Sequence, residues 1–131
     1  MLIALLWIYP CKGQLSINEF QVSNITTGYD SKRNYSEWIE IRNAGSSSVN
    51  LAGYYLTNDL NDPFMCQINY GTASANYYYK LWLELVGNKL SERFGMEMDN
   101  GFLALMSPTG QLVDSVSYGR QYNDVSYGRR S

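Results

Sequence analysis

From Leu15 onward the chain alternates apolar and polar residues in short runs broken by turn residues, the period of half-buried strands. Leu15 to Val22 is the first run, and its phase slips. Ile17 shares parity with Glu19, while Phe20 and Val22 fall on the other parity, so the spacing predicts a bulge or a strand buried on both faces. Glu37 to Asn43 sets Ile39 and Ile41 against Trp38, Glu40 and Arg42. Val49 to Thr57 reads as a third strand and Phe64 to Tyr70 as a fourth. The polar stretches Thr26 to Ser36, Ala44 to Ser48 and Asn58 to Pro63 read as loops and turns. Tyr77 to Val86 gives the cleanest alternation: Tyr79, Leu81, Leu83 and Leu85 inward, Tyr78, Lys80, Trp82 and Glu84 outward. Leu and Lys favour helices, but strict period two and the Tyr run decide for a strand.

After Gly87 to Glu92, the runs Arg93 to Met98 and Phe102 to Ser107 flank Asp99-Asn100-Gly101, which predicts a hairpin turning at Asn-Gly. Pro108-Thr109-Gly110 is a second turn, leading into Gln111 to Tyr118. Val116-Ser117-Tyr118-Gly119-Arg120 recurs as Val125-Ser126-Tyr127-Gly128-Arg129, too few copies for a solenoid and best read as two similar strand ends. Turns about every ten residues, with no helical period, predict an all-β sandwich or barrel.

Composition narrows the function classes. The 131 residues make one domain, able to bury roughly two-thirds of the surface its unfolded chain exposes. Ten basic and twelve acidic residues give a net charge of −2 with no basic block, which argues against nucleic acid as a partner. There is no histidine, so no histidine triad, histidine base or His-ligated zinc can form within the chain. Twelve Tyr, three Trp and four Phe favour strands and wet contact surfaces.

The first nine residues carry no polar side chain; the run Leu2 to Tyr9 is too short to span a bilayer and has the length of a signal-peptide core. Residues 1–14 therefore read as a secretion signal or an N-terminal apolar segment, and 15–131 as the domain. A cut near Gly13 leaves Cys66 as the one cysteine, expected in the core.

Four groups invite chemistry. Asp114 shares parity with Leu112, Val116 and Tyr118, an apolar face, so it needs a partner. Arg120 or Arg129 would supply an internal ion pair; the competing reading is a catalytic acid. Glu40 with Glu19 or Glu37 would offer paired carboxylates, as glycoside hydrolysis requires, but no cleft is legible. Asp59 and Asp62 with Asn58 and Asn61 make an oxygen-rich loop without the glycine spacing and terminal Glu of an EF-hand, so a solvated turn is the simpler reading. Tyr77, Tyr78 and Tyr79 with outward Trp82 offer a binding surface, unless the loop Gly71 to Asn76 covers them. No phosphate loop, nucleophile elbow or zinc spacing occurs, so no cofactor or metal is expected.

Ile17-Asn18-Glu19-Phe20, then Glu37-Trp38-Ile39-Glu40-Ile41-Arg42-Asn43, then Val49 through Asp59 resemble the bacterial lamin-tail domain. Phe102-Leu103-Ala104-Leu105 through Gly110, Val113-Asp114-Ser115-Val116 and Asp124 through Arg129 continue the pattern in order, so the resemblance covers about residues 15–130. It implies an immunoglobulin-like antiparallel β-sandwich, although the Cys-Trp-Cys spacing of antibody domains is absent. The chain departs from the family at Phe64 to Asn69, and it stops at Ser131 before the family's closing strand, which would leave an edge open to pair with another chain or domain. The resemblance implies a secreted or cell-surface, non-catalytic adhesion or tethering module whose partner is a protein or a cell-surface glycan. A carbohydrate-binding module using exposed aromatics is the alternative, and a hydrolase accessory domain stands last. Nuclear filament function is not implied, because neither a heptad rod nor a basic nuclear signal is present.

Overall fold

The structure, a computed structural model, describes residues 14–29, 35–83 and 94–129. The signal or apolar segment expected over residues 1–14 lies outside these apart from Gln14, as do Glu84 to Val86 and the loop Gly87 to Glu92. Every element among the described residues is a strand: β1 Leu15–Gln21, β2 Trp38–Asn43, β3 Val49–Asn50, β4 Tyr55–Thr57, β5 Cys66–Gln67, β6 Thr72–Ala73, β7 Tyr78–Trp82, β8 Gly101–Met106, β9 Leu112–Tyr118 and β10 Tyr127–Gly128. They pair antiparallel into two four-stranded sheets, β10-β1-β2-β7 and β5-β4-β8-β9, with β3-β6 as a separate ribbon.

The phase slip in the first run is a bulge. Ile17 lies opposite Ile41 and Glu19 opposite Glu40, so Asn18 is the extra residue. That extra residue lets Leu15, Ile17, Phe20 and Val22 all reach the interior, each at 3% exposure or less. They meet Ile39, Ile41 and Leu81 of their own sheet and Leu56, Leu103 and Leu105 of the facing one. Cys66 is a buried thiol in this cluster. The Phe20 ring lies 4.9 Å from Tyr118 at the end of β9 and 5.5 Å from Tyr127 of β10. One aromatic thus joins the first strand to the last two.

Three sequence expectations fail, each for a local reason. The run Val49 to Thr57 is two strands in different ladders, because Tyr54 N–H turns back to the Leu51 carbonyl at 3.0 Å and Gly53 takes φ +95°. Such a φ is costly for any residue with a side chain, so the chain changes direction there. Phe64 to Tyr70 contributes only Cys66 and Gln67 to a ladder. Asn100-Gly101 is not a hairpin tip: both edges of β8 are taken by β4 and β9, so Phe94 to Met98 has no edge to pair with and runs outside any ladder. The hairpin between β8 and β9 turns instead at Pro108-Thr109-Gly110, where Gly110 takes φ +85° and its N–H donates to the Ser107 carbonyl at 2.9 Å.

The two copies of Val-Ser-Tyr-Gly-Arg end β9 and form β10. β10 covers β1 at Glu19 and Phe20, and the Arg129 N–H donates to the Asn18 carbonyl at 2.7 Å. Beside this short strand, Asp114 reaches across from β9. Its Oδ2 accepts the Ile17 N–H at 2.7 Å and lies 2.9 Å from Arg129 Nη2. The carboxylate therefore supplies the ladder bond that β1 lacks on its outer edge. Arg120 takes no part; it sits 3.2 Å from Asp99 on the surface.

Asp114→Ala strips the Ile17 N–H and Arg129 of their acceptor together, which is expected to cost about 1–3 kcal/mol of folding stability. Urea denaturation checks this, and an unchanged midpoint would mean that water replaces the carboxylate at no cost.

Candidate functional site

The outward residues of β2 and β7 form one surface because the two strands pair in register: Trp38 opposite Trp82, Glu40 opposite Lys80 and Arg42 opposite Tyr78. Their side chains are interlocked. The Trp38 and Trp82 rings stand edge to face with centroids 6.5 Å apart. Lys80 Nζ lies 4.0 Å from the centre of the Trp38 ring and 5.3 Å from that of Trp82. Arg42 lies over the Tyr78 ring at 4.9 Å and donates to Asn76 Oδ1 at 3.1 Å. Each cation is thus held on an aromatic face, which its positive charge favours through the ring quadrupole. Trp38 is buried beneath this cover, and its indole N–H donates to Gln21 Oε1 at 2.9 Å.

Of the four aromatics expected at a surface, Tyr77 and Tyr78 stand open at 67% and 54% exposure, whereas Trp82 is half-buried beside Lys80. Tyr79 points the other way. Its ring packs against Gly71, where φ is +131° and a Cβ would come within 2.9 Å of the ring. Burial, and then the neighbouring Tyr70, raise the Tyr79 hydroxyl above its ordinary value. The loop Gly71 to Asn76 therefore covers Tyr79 and leaves Tyr78 open.

The carboxylate candidates resolve into local hydrogen bonding. Glu19 and Glu40 do lie opposite one another, but Glu40 accepts from Asn18 Nδ2 at 2.9 Å and Glu19 accepts from the Ser126 hydroxyl. Each carboxylate has its own neutral donor. In the loop Asn58 to Pro63, the Thr57 hydroxyl lies 2.8 Å from the carbonyls of both Asp59 and Asp62, and Asp59 Oδ1 accepts the Asn61 N–H at 2.9 Å. Those oxygens close a turn, and among the described residues no group of three acidic or cysteine side chains is arranged to hold a metal.

One residue of consequence was not singled out from sequence. Asp124, at φ +61°, accepts the N–H groups of Ile25 and Thr26 at 2.6 and 2.9 Å and the Thr26 hydroxyl at 2.8 Å. It ties the loop after β1 to the turn before β10 and holds Ile25, Tyr122 and Val125 in the open at that end of the sandwich. Asp is one of the few non-glycine residues that tolerates this backbone region. That was its only local signal.

The backbone N–H groups of Thr26 and Ile25 lower the Asp124 pKa below the ordinary carboxylate value. A group with a depressed folded pKa stabilises fully above its unfolded pKa and loses that contribution as pH falls through the folded one. Asp124→Asn is therefore expected to flatten the acid limb of the stability curve below about pH 4, measured by thermal melts across pH. A second expectation concerns Lys80→Met, which keeps the stem and removes the charge. It should cost about 0.5–1 kcal/mol, whereas Lys80→Arg should cost less; equal losses would assign the contact to packing alone.

With the geometry in place, comparison with known proteins identifies the family. A family model described as the Lamin Tail Domain matches residues 10–120, a span that takes in β1 to β9 and ends before β10. The curated proteins include none that matches. The family's immunoglobulin-like fold agrees with the antiparallel all-β architecture, and its members are generally non-catalytic. The chain belongs to the lamin tail domain family.

Proposed function

We propose that this domain is an extracellular tethering module that holds a protein at the bacterial cell surface through the face shared by β2 and β7. The observation that carries the reading is the exposed Tyr78 with Arg42 already seated on its ring, beside Lys80 seated on the Trp38 and Trp82 rings. Side chains fixed before contact lose little rotamer freedom on binding, and Tyr, Trp and Arg are the residues that dominate protein interfaces. No bond chemistry enters the mechanism. A secreted location is supported by the apolar run Leu2 to Tyr9.

A protein partner is favoured over a glycan by the position of Lys80. Stacking on a sugar requires an open ring face, and Lys80 lies over the faces of both Trp38 and Trp82. The test is retention of the domain, fused to a fluorescent reporter, on bacterial cells. Tyr78→Ala is expected to lower retention by about tenfold or more, since a hot-spot residue contributes about 2 kcal/mol. Protease treatment of the cells should abolish the remainder. Retention unchanged by Tyr78→Ala overturns the assigned face, and retention lost to glycan competitors but not to protease gives the site to carbohydrate.

A further inference from the structure

Several exposed asparagines of this fold are tied down. Asn50 Oδ1 accepts the Ala52 N–H at 3.0 Å, and Asn58 Nδ2 donates to the Gly95 carbonyl at 3.1 Å. Asn76 Oδ1 accepts from Arg42 at 3.1 Å, and Asn123 Oδ1 from the Ser23 hydroxyl at 2.7 Å. Asn100 differs. It is exposed, it stands immediately ahead of β8, and among the described residues its side chain makes no hydrogen bond. Its amide is therefore able to rotate onto the backbone of the next residue.

That next residue has to be glycine. A Cβ on Gly101 would come 2.5 Å from the Tyr118 hydroxyl oxygen and 2.7 Å from Cζ of the ring. The ring has no room to swing aside, because Tyr118 is buried and packs on Phe20 at 4.9 Å. Packing thus fixes an Asn-Gly pair at an exposed position. Glycine leaves its own backbone nitrogen unshielded and turns readily into conformations that side chains forbid.

We propose that Asn100 is a site of spontaneous covalent modification, at which the Gly101 backbone nitrogen displaces the side-chain amide and water yields aspartate and isoaspartate. The Gly101 nitrogen gives its proton to solvent and bonds to Asn100 Cγ. The Cγ–Nδ2 bond breaks, and the nitrogen takes up a proton from water and leaves as ammonia. Water then opens the cyclic imide. Attack at Cγ breaks its bond to the Gly101 nitrogen and gives aspartate; attack at the main-chain carbonyl gives isoaspartate, whose backbone runs through Cγ. Either product puts a new carboxylate beside Asp99, which pairs with Arg120 at 3.2 Å. Isoaspartate also lengthens the backbone by a methylene just before Gly101 and Tyr118, the first rung between β8 and β9.

The test incubates the whole folded chain in heavy-oxygen water, then digests it under mildly acidic conditions for mass spectrometry. Label is expected in the Asn100 peptide about tenfold faster than in those of Asn50 and Asn76, the effect of a barrier about 1.4 kcal/mol lower. Aspartate and isoaspartate should both appear, and faster at alkaline pH, where more of the attacking nitrogen is deprotonated. Asn100→Gln, which would have to close a larger ring, is expected to stop the label and leave the melting temperature unchanged. Label no faster at Asn100 than at Asn50 and Asn76, or aspartate formed without isoaspartate, overturns the proposal. Hydrogen exchange over Gly101 to Leu103 should quicken in the isoaspartate form but not in Asn100→Asp, which carries the charge without the extra methylene. Equal exchange in the two forms would overturn the assigned effect on β8.

Discussion

A carboxylate does the work of a missing ladder residue in this fold. β1 pairs with β2 along its length apart from the bulged Asn18, but among the described residues its outer edge has only two partners in β10, and the Ile17 N–H would otherwise face a partly buried flank without an acceptor. Asp114 fills that position from the opposite sheet, with Arg129 balancing its charge. The arrangement explains two neighbouring features at once: a charged residue within the partly buried β9 and an arginine immediately after β10. A sandwich whose sheets are held together only by apolar packing tolerates sliding; a hydrogen bond and an ion pair on one oxygen fix the register of the two sheets.

The β2–β7 face illustrates a different economy. Aromatic side chains on an exposed sheet carry a solubility hazard, and here Lys80 and Arg42 lie across the rings, so that charge is displayed and indole surface is covered. The same contacts hold the cations still. Tyr78 stays half exposed under Arg42, at the end of the strand nearest the turn through Asn76.

Much of this was legible in the chain itself. Period-two alternation located β1, β2, β8 and β9 within a residue or two and the start of β7, which ends at Trp82 rather than running on to Val86, and the slip between Ile17 and Phe20 marked the bulge. What failed was whatever depends on which edges are already occupied. Asn-Gly is a strong hairpin signal only when the strand after it has a free edge, and β8 has none. Val49 to Thr57 alternates well enough for one strand, yet Gly53 turns it between two ladders, and nothing local distinguishes that glycine from a tolerated one. The parity of Trp38, Arg42, Tyr78, Lys80 and Trp82 was readable, but their interlocking required the β2–β7 register, which no single strand encodes. Asp124 was invisible for the same reason: its partners lie 98 and 99 residues away.

Those separations bear on how the domain is made. Ile17 meets Asp114 across 97 residues, and the Glu19 carboxylate meets Ser126 across 107. Contacts so distant in sequence cannot form until almost the whole domain has left the ribosome, and closing such long loops is entropically slow. For most of synthesis β1 has β2 on one side but neither Asp114 nor β10 on the other, so its outer edge is bare. A strand made early is thus sealed late, and a nascent chain stalled before Arg129 would carry that edge uncovered.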